Sequence, residues 1–251
     1  MTWHEILPAI VFLVVFFTSI LSGMAGGGGG FIITPFLIAI GLTPQQSIAT
    51  GKLGALGLDT GSIAAFRRRT TKHKTLLLIL ILMSILVGVV SSIAIRRIGN
   101  ENLKFIMGVL NLTMVPLLFI KHHGLKSRRR HYLFQGAGLL IIIAVMLLQG
   151  VFSSGIGSLI NVFLILFFGA SAIDANILKR KASLVSDIVV VAGLVSSSLI
   201  NYKYGLIGAA AGLLGGYVGS KFMLHEGERF ARYALMVFMI VSGVWLVATA
   251  N

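Results

Sequence analysis

Hydrophobic runs alternate with short polar breaks along the whole chain. A helix needs about 20 apolar residues to cross a bilayer. Runs of that order occur at residues 6–24, 46–66, 75–95, 103–120, 132–151, 175–200, 204–223 and 230–249. Two shorter apolar pieces, 30–41 and 158–169, each follow a glycine- or serine-rich break. The pattern predicts an all-α polytopic membrane protein with eight long helices and two short broken or re-entrant segments. Irregular backbone at membrane depth is tolerated only against protein or a water-filled cavity. The two breaks therefore mark the interior.

Shifting the chain by 128 residues lays this pattern on itself. Gly27 falls on Gly155, Gly29 on Gly157, Gly41 on Gly169, Asp59 on Asp187 and Gly88 on Gly216, with no gap. Lys52 falls on Arg180, a conservative match. The matches sit at breaks and polar positions, so residues 1–125 and 129–251 are read as two duplicated transmembrane halves. The run at 6–24 has a mid-chain equivalent and is therefore read as structural, not as a cleaved leader. The loop at 67–74 is strongly basic and its counterpart at 195–202 nearly neutral, which favours inverted over parallel halves. Inversion needs an odd number of crossings. The short pieces would then cross too, giving five per half, against four for parallel halves.

Composition agrees with lipid as the solvent. Hydrophobic residues make up 57% and charged residues 11%, against about 25% charged in a soluble domain. The net charge of +14 would elsewhere suggest a nucleic-acid partner. Here the cations cluster between apolar runs, at Arg67, Arg68, Arg69, Lys72 and Lys74, then at Lys121, Lys126 and Arg128 to Arg130. That is the positive-inside signature of cytoplasmic loops, so a multi-pass plasma-membrane protein is expected and nucleic acid is not. There is no cysteine, and the six histidines lie at segment ends or in loops. No metal site or cofactor is expected. No nucleotide loop, HExxH motif or Ser-His-Asp set is present, so no enzyme is expected either.

Three features carry candidate chemistry. The first is the pair of breaks, Gly27, Gly28, Gly29 and Gly30 in one half and Ser153, Ser154, Gly155, Gly157 and Ser158 in the other. A helix that starts after such a break offers free N–H groups and a positive dipole end to an anion. Close helix packing through small residues is the structural alternative. The second is Lys52 with Arg180, charges inside apolar segments at matching positions. Lys179 and Lys181, beside Arg180, are expected to snorkel to the interface. The third is Asp59 with Asp187, each seven residues after its cation and so on the same helical face two turns on. These carboxylates are candidates for proton coupling or gating, or for a structural ion pair. Thr34 and Thr50 are lesser candidates for binding, while Gln149 and Asn161 are expected to bond between helices.

Gly26 to Gly30 with Phe31-Ile-Ile-Thr-Pro35, then Gly41-Leu-Thr-Pro44 and Ala49-Thr50-Gly51-Lys52, resembles the sulfite exporter TauE/SafE family, also called toluene-sulfonate uptake permeases. The second-half stretch from Gly155 through Gly169 to Asp187 fits that family's duplicated design. The resemblance implies a plasma-membrane transporter of sulfite or organosulfonate anions. The chain departs from the pattern at Ser153, Ser154 and Ile156, where fuller glycine is usual, and at Lys52, where many members carry a small or polar residue.

The expectation is a secondary transporter of a small anion, working in the lipid bilayer, with its site between the repeats; a homo-oligomer is compatible with it. Two rivals are a cation or proton transporter centred on Asp59 and Asp187, and a non-transporting membrane assembly factor.

Overall fold

The computed structural model describes residues 3–27, 29–118, 132–152, 156–226 and 240–249. Every regular element among the described residues is a helix. In chain order they are α1 (Trp3–Ala25), α2 (Gly30–Ala39), α3 (Pro44–Ala65), α4 (Lys74–Arg97), α5 (Asn100–Leu118), α6 (Tyr132–Phe152), α7 (Gly157–Phe168), α8 (Ala172–Leu194) and α9 (Tyr202–Glu226). A further helix, α10, covers 240–248. The expected span at 230–249 lies outside the described residues up to 239, as does the basic cluster at 121–130.

The chain enters α3 and α8 in the same way. Each follows a left-handed glycine, Gly41 (φ 103°) and Gly169 (φ 66°), a conformation that costs other residues because of their Cβ. Each then starts on a side-chain cap. Thr43 accepts from the Gln46 N–H and Ser171 from the Asp174 N–H, which satisfies a first-turn donor that has no helical partner. α3 and α8 start 128 residues apart, and so do α4 and α9.

Each short helix doubles back on the helix before it. α2 turns back along α1, so that Gly29 lies against Ser22 and Thr18, while Ile33 and Leu37 share a core cluster with Val15 and Val11. α7 turns back along α6, with Gly157 beside Gln149 and Phe167 against Gly138. The two pieces therefore form hairpins with the helices that precede them. The expected span at 175–200 is shorter. α8 ends at Leu194, where the Ser197 hydroxyl takes over the Leu194 carbonyl at 2.6 Å, a competition with helix bonding typical of serine.

α3 and α8 cross at the centre in opposite directions. Lys52 meets Asp187 and Asp59 meets Arg180, an order only antiparallel helices allow. Around them, helices from the two ends of the sequence interleave. α9 lies on α1 and α3, and α4 lies on α6 and α8.

Glycine makes the tightest of these contacts. A Cβ on Gly57 or Gly61 of α3 would overlap the carbonyl oxygens of Ala209 and Leu213, and one on Gly212 or Gly216 of α9 those of Gly54 and Leu58. In lipid, where helix association gains little from the hydrophobic effect, such close backbone approach supplies the packing energy.

Four helices are long and apolar enough to cross a membrane by composition: Glu5–Ala25, Lys74–Arg97, Phe134–Phe152 and Tyr202–Leu224. On α4 the outward face is Leu78, Leu82, Leu86 and Val90, and the inward face includes Ser84, Gly88 and Ser91. Apolar side chains meet lipid and small polar ones meet protein. α3 and α8 carry the buried charges, and the other helices wrap them.

Candidate functional site

A polar cavity of about 60 Å³ lies where the two breaks meet the middle of α3 and α8. At about 10–15 Å³ of such volume per water, it has room for on the order of five waters. The breaks touch there, since a Cβ on Gly27 would sit 2.7 Å from the Ser158 backbone nitrogen. Gly26 makes the turn out of α1 with φ 73°. Its carbonyl accepts from the Asn161 amide at 3.1 Å, so Asn161 fulfils the expected bond between helices and ties α7 to the first break.

The charged residues are crossed between the two sequence segments. Lys52 Nζ of α3 donates to Asp187 Oδ1 of α8 at 2.8 Å and approaches the Gln149 carbonyl at 3.4 Å. Arg180 of α8 donates through Nη1 to Asp59 Oδ1 of α3 at 2.7 Å, and through Nη2 to the Ser22 carbonyl at 2.7 Å. Its Nε reaches Asn176 Oδ1 at 3.3 Å. Gln149 and Ser22 lie in the last turns of α6 and α1, where carbonyls lack helical partners and the dipole is negative. Each cation thus neutralises a carboxylate and caps a helix that stops inside the protein. The low dielectric makes these pairs strong only because the geometry and the extra hydrogen bonds offset desolvation.

A third cation, Lys179, departs from the sequence expectation. Lys179 does not snorkel. It is 4% exposed, lines the cavity and has no hydrogen-bonding partner among the described residues. A Cβ on Gly157 would lie 2.9 Å from its Nζ and 3.0 Å from Gln149 Oε1, so the glycine makes room for both. Gln149 Oε1 and the buried Thr34 hydroxyl also have no partner among the described residues. The signal is a polar stripe on α8, Asn176, then Lys179 and Arg180 side by side, then Ser183 and Asp187, in steps of three to four residues like one helical face.

Gly27, Gly29, Gly30, Thr34, Lys52, Asp59, Gly157, Arg180 and Asp187 all line this cavity. Gly28, Ser153, Ser154 and Gly155 lie outside the described residues. Thr50 does not line it. Its hydroxyl accepts from the Asn201 N–H at 3.0 Å and ties α3 to the start of α9. The Ser158 side chain does not line it either. Gly51 and Ser22 were not singled out and do line it.

Counted as ionised, the cavity holds three cations and two carboxylates. Both carboxylates are taken by cations, so the surplus charge is the ammonium of Lys179. A buried charge without a counter-ion is costly, and a small anion would remove that cost. The N-terminus of α2, with no side-chain cap, adds the N–H groups of Gly30 and Phe31, whereas that of Ile32 already donates to the Gly29 carbonyl.

The sequence profile of the sulfite exporter TauE/SafE family matches residues 11–246. The chain belongs to the sulfite exporter TauE/SafE family. This TauE/SafE protein is 26% identical over 240 residues to a probable membrane transporter protein of Haemophilus influenzae, covering 94% of this chain and 93% of that one. It is 26% identical over 255 residues to the probable membrane transporter protein YjnA of Bacillus subtilis, covering 94% and 98%. It is 22% identical over 232 residues to the probable membrane transporter protein YfcA of Escherichia coli, covering 91% and 86%. No solved structure is significantly similar to it. Family, relatives and apolar helices together make this TauE/SafE chain a multi-pass protein of the plasma membrane.

Proposed function

We propose that the protein is a secondary transporter of a small sulfur oxyanion, sulfite first, bound at Lys179 in the cavity between the two breaks. The carrying observation is that Lys179 is buried in the cavity without a hydrogen-bonding partner among the described residues, while Lys52 and Arg180 are already paired. The anion would take donors from Lys179, the Thr34 hydroxyl and the first-turn N–H groups of α2. A cavity of about 60 Å³ suits a few-atom oxyanion better than an arylsulfonate. The family description points to the same chemical class.

The transport reading also rests on symmetry. Matching caps, hairpins and crossed ion pairs at a 128-residue spacing support two duplicated halves, and the antiparallel run of α3 and α8 supports their inversion. Inverted repeats place a substrate site near the midplane, between broken helices. The α1–α2 and α6–α7 hairpins then enter from opposite faces. Movement of either one would open the cavity to its own side. For export, a potential that is negative inside drives the anion outward, worth about 2.3 kcal/mol per charge per 100 mV. Proton coupling through Asp59 or Asp187 is then unnecessary.

Proteoliposomes test this reading. Sulfite efflux driven by an imposed potential should exceed that of sulfate or toluenesulfonate, and should be lost in Lys179→Met. Sodium or proton flux without anion flux would favour the cation reading. That reading is disfavoured because both aspartates are already occupied by cations at 2.7–2.8 Å.

A further inference from the structure

A second, larger cleft of about 520 Å³ opens between the end of α3, the start of α4 and the side of α8. We propose that it binds the head and upper acyl chain of an anionic phospholipid of the cytoplasmic leaflet.

Among the described residues four cations line it, Arg67, Arg69, Lys74 and Lys181, and no carboxylate does. None of the four has a side-chain hydrogen bond or ion pair among the described residues. Arg67, Arg69 and Lys74 are exposed, and Lys181 is half-buried. Lys181 lies nine residues beyond the start of α8, hence about 13 Å along its axis at 1.5 Å per residue. The charge therefore follows the cleft inward and does not stop at the rim. The walls between the cations are apolar, from Ile63, Leu77 and Ile177.

α4 begins at this cleft, and its N-cap His73 makes no side-chain cap bond. The first-turn N–H groups there lack helical acceptors and face the same region as the cations. The whole face belongs to the basic loop that the positive-inside rule assigns to the cytoplasm. Basic pockets between membrane helices on that side suit phosphate head groups, and the apolar walls suit an acyl chain. A free anion would leave those walls unused. The cleft is separate from the Lys179 cavity, so this inference does not depend on the transport reading.

The test is thermal unfolding in detergent with added dioleoyl phosphatidylglycerol, dioleoyl phosphatidylcholine or inorganic phosphate. Phosphatidylglycerol should stabilise the wild type, and the other two should not at matched concentration. The double variant Arg67→Gln/Arg69→Gln should raise the lipid needed for half-maximal stabilisation about thirtyfold, taking about 1 kcal/mol per cation near the surface. Lys181→Gln alone should raise it about fivefold on the same scale, which keeps the test open if the double variant folds poorly. The control Arg96→Gln/Arg97→Gln removes the same charge from the far end of α4 and should respond like wild type. Equal stabilisation by phosphatidylcholine or by phosphate overturns the proposal. So does an unchanged lipid response in both site variants.

Discussion

Lys52 Nζ donates to Asp187 Oδ1 across 2.8 Å, joining residues 135 positions apart in the chain. Arg180 and Asp59 repeat the relationship in the opposite order. Apart from Lys179, the charges that α3 and α8 bury are neutralised by each other, so neither helix is a self-sufficient core.

Removing one partner should therefore be far worse than removing both. Lys52→Ala and Asp187→Ala should each cost about 3–5 kcal/mol, because a buried charge is left alone. The double variant Lys52→Met/Asp187→Leu should recover most of that loss, since a well-packed apolar pair of similar volume is often neutral or better. Denaturation of the two singles and the double, read as a double-mutant cycle, checks this. Additive losses would show that the pair is not energetically coupled.

The glycine contacts between α3 and α9 should not tolerate a methyl group. Gly57→Ala or Gly212→Ala should cost about 1–3 kcal/mol by forced separation of the helices. Gly99→Ala, where a Cβ meets nothing within 4 Å, should leave the melting temperature within experimental error. Equal behaviour of all three would mean that α3 and α9 are not in backbone contact.

The turn at Gly26 should be as demanding for a different reason. Its φ is 73° and a Cβ there would overlap the Asn161 amide. Gly26→Ala should lose the cavity geometry as well as about 1–2 kcal/mol for the left-handed backbone. Sulfite efflux should fall even where the protein still assembles in the membrane. Wild-type efflux would place the α1 exit away from the transport path.

Much of this architecture is legible from the pattern alone. The short helices at Gly30–Ala39 and Gly157–Phe168 lie within two residues of the expected 30–41 and 158–169, because glycine and proline punctuate the backbone locally. Asp59 and Asp187 are identifiable because charge inside an apolar run is expensive wherever it points. Partnership is another matter. Helical periodicity tells which face Lys52 occupies but not which helix faces it, so the crossed pairing was not readable. Lys179 was misjudged for the same reason. A lysine near a helix start snorkels if it can reach the interface, and only the packing of α7 shows that its ammonium lies beside Gly157 instead. The glycines of α9 at 208, 212 and 216 stand at four-residue spacing in the sequence, and the tight contacts of Gly212 and Gly216 with α3 are what they encode.

The most direct test of the central claim is sulfite-dependent thermal stability in detergent, measured for wild type, Lys179→Met and Lys52→Ala. Sulfite at 100 times its dissociation constant should stabilise the wild type by about 2.7 kcal/mol. Lys179→Met should lose that response yet melt no lower than wild type without anion, since it removes a buried charge with no ion-pair partner among the described residues. Lys52→Ala should melt lower with or without sulfite. A Lys179→Met variant that keeps the full sulfite response would contradict the account and place the anion elsewhere.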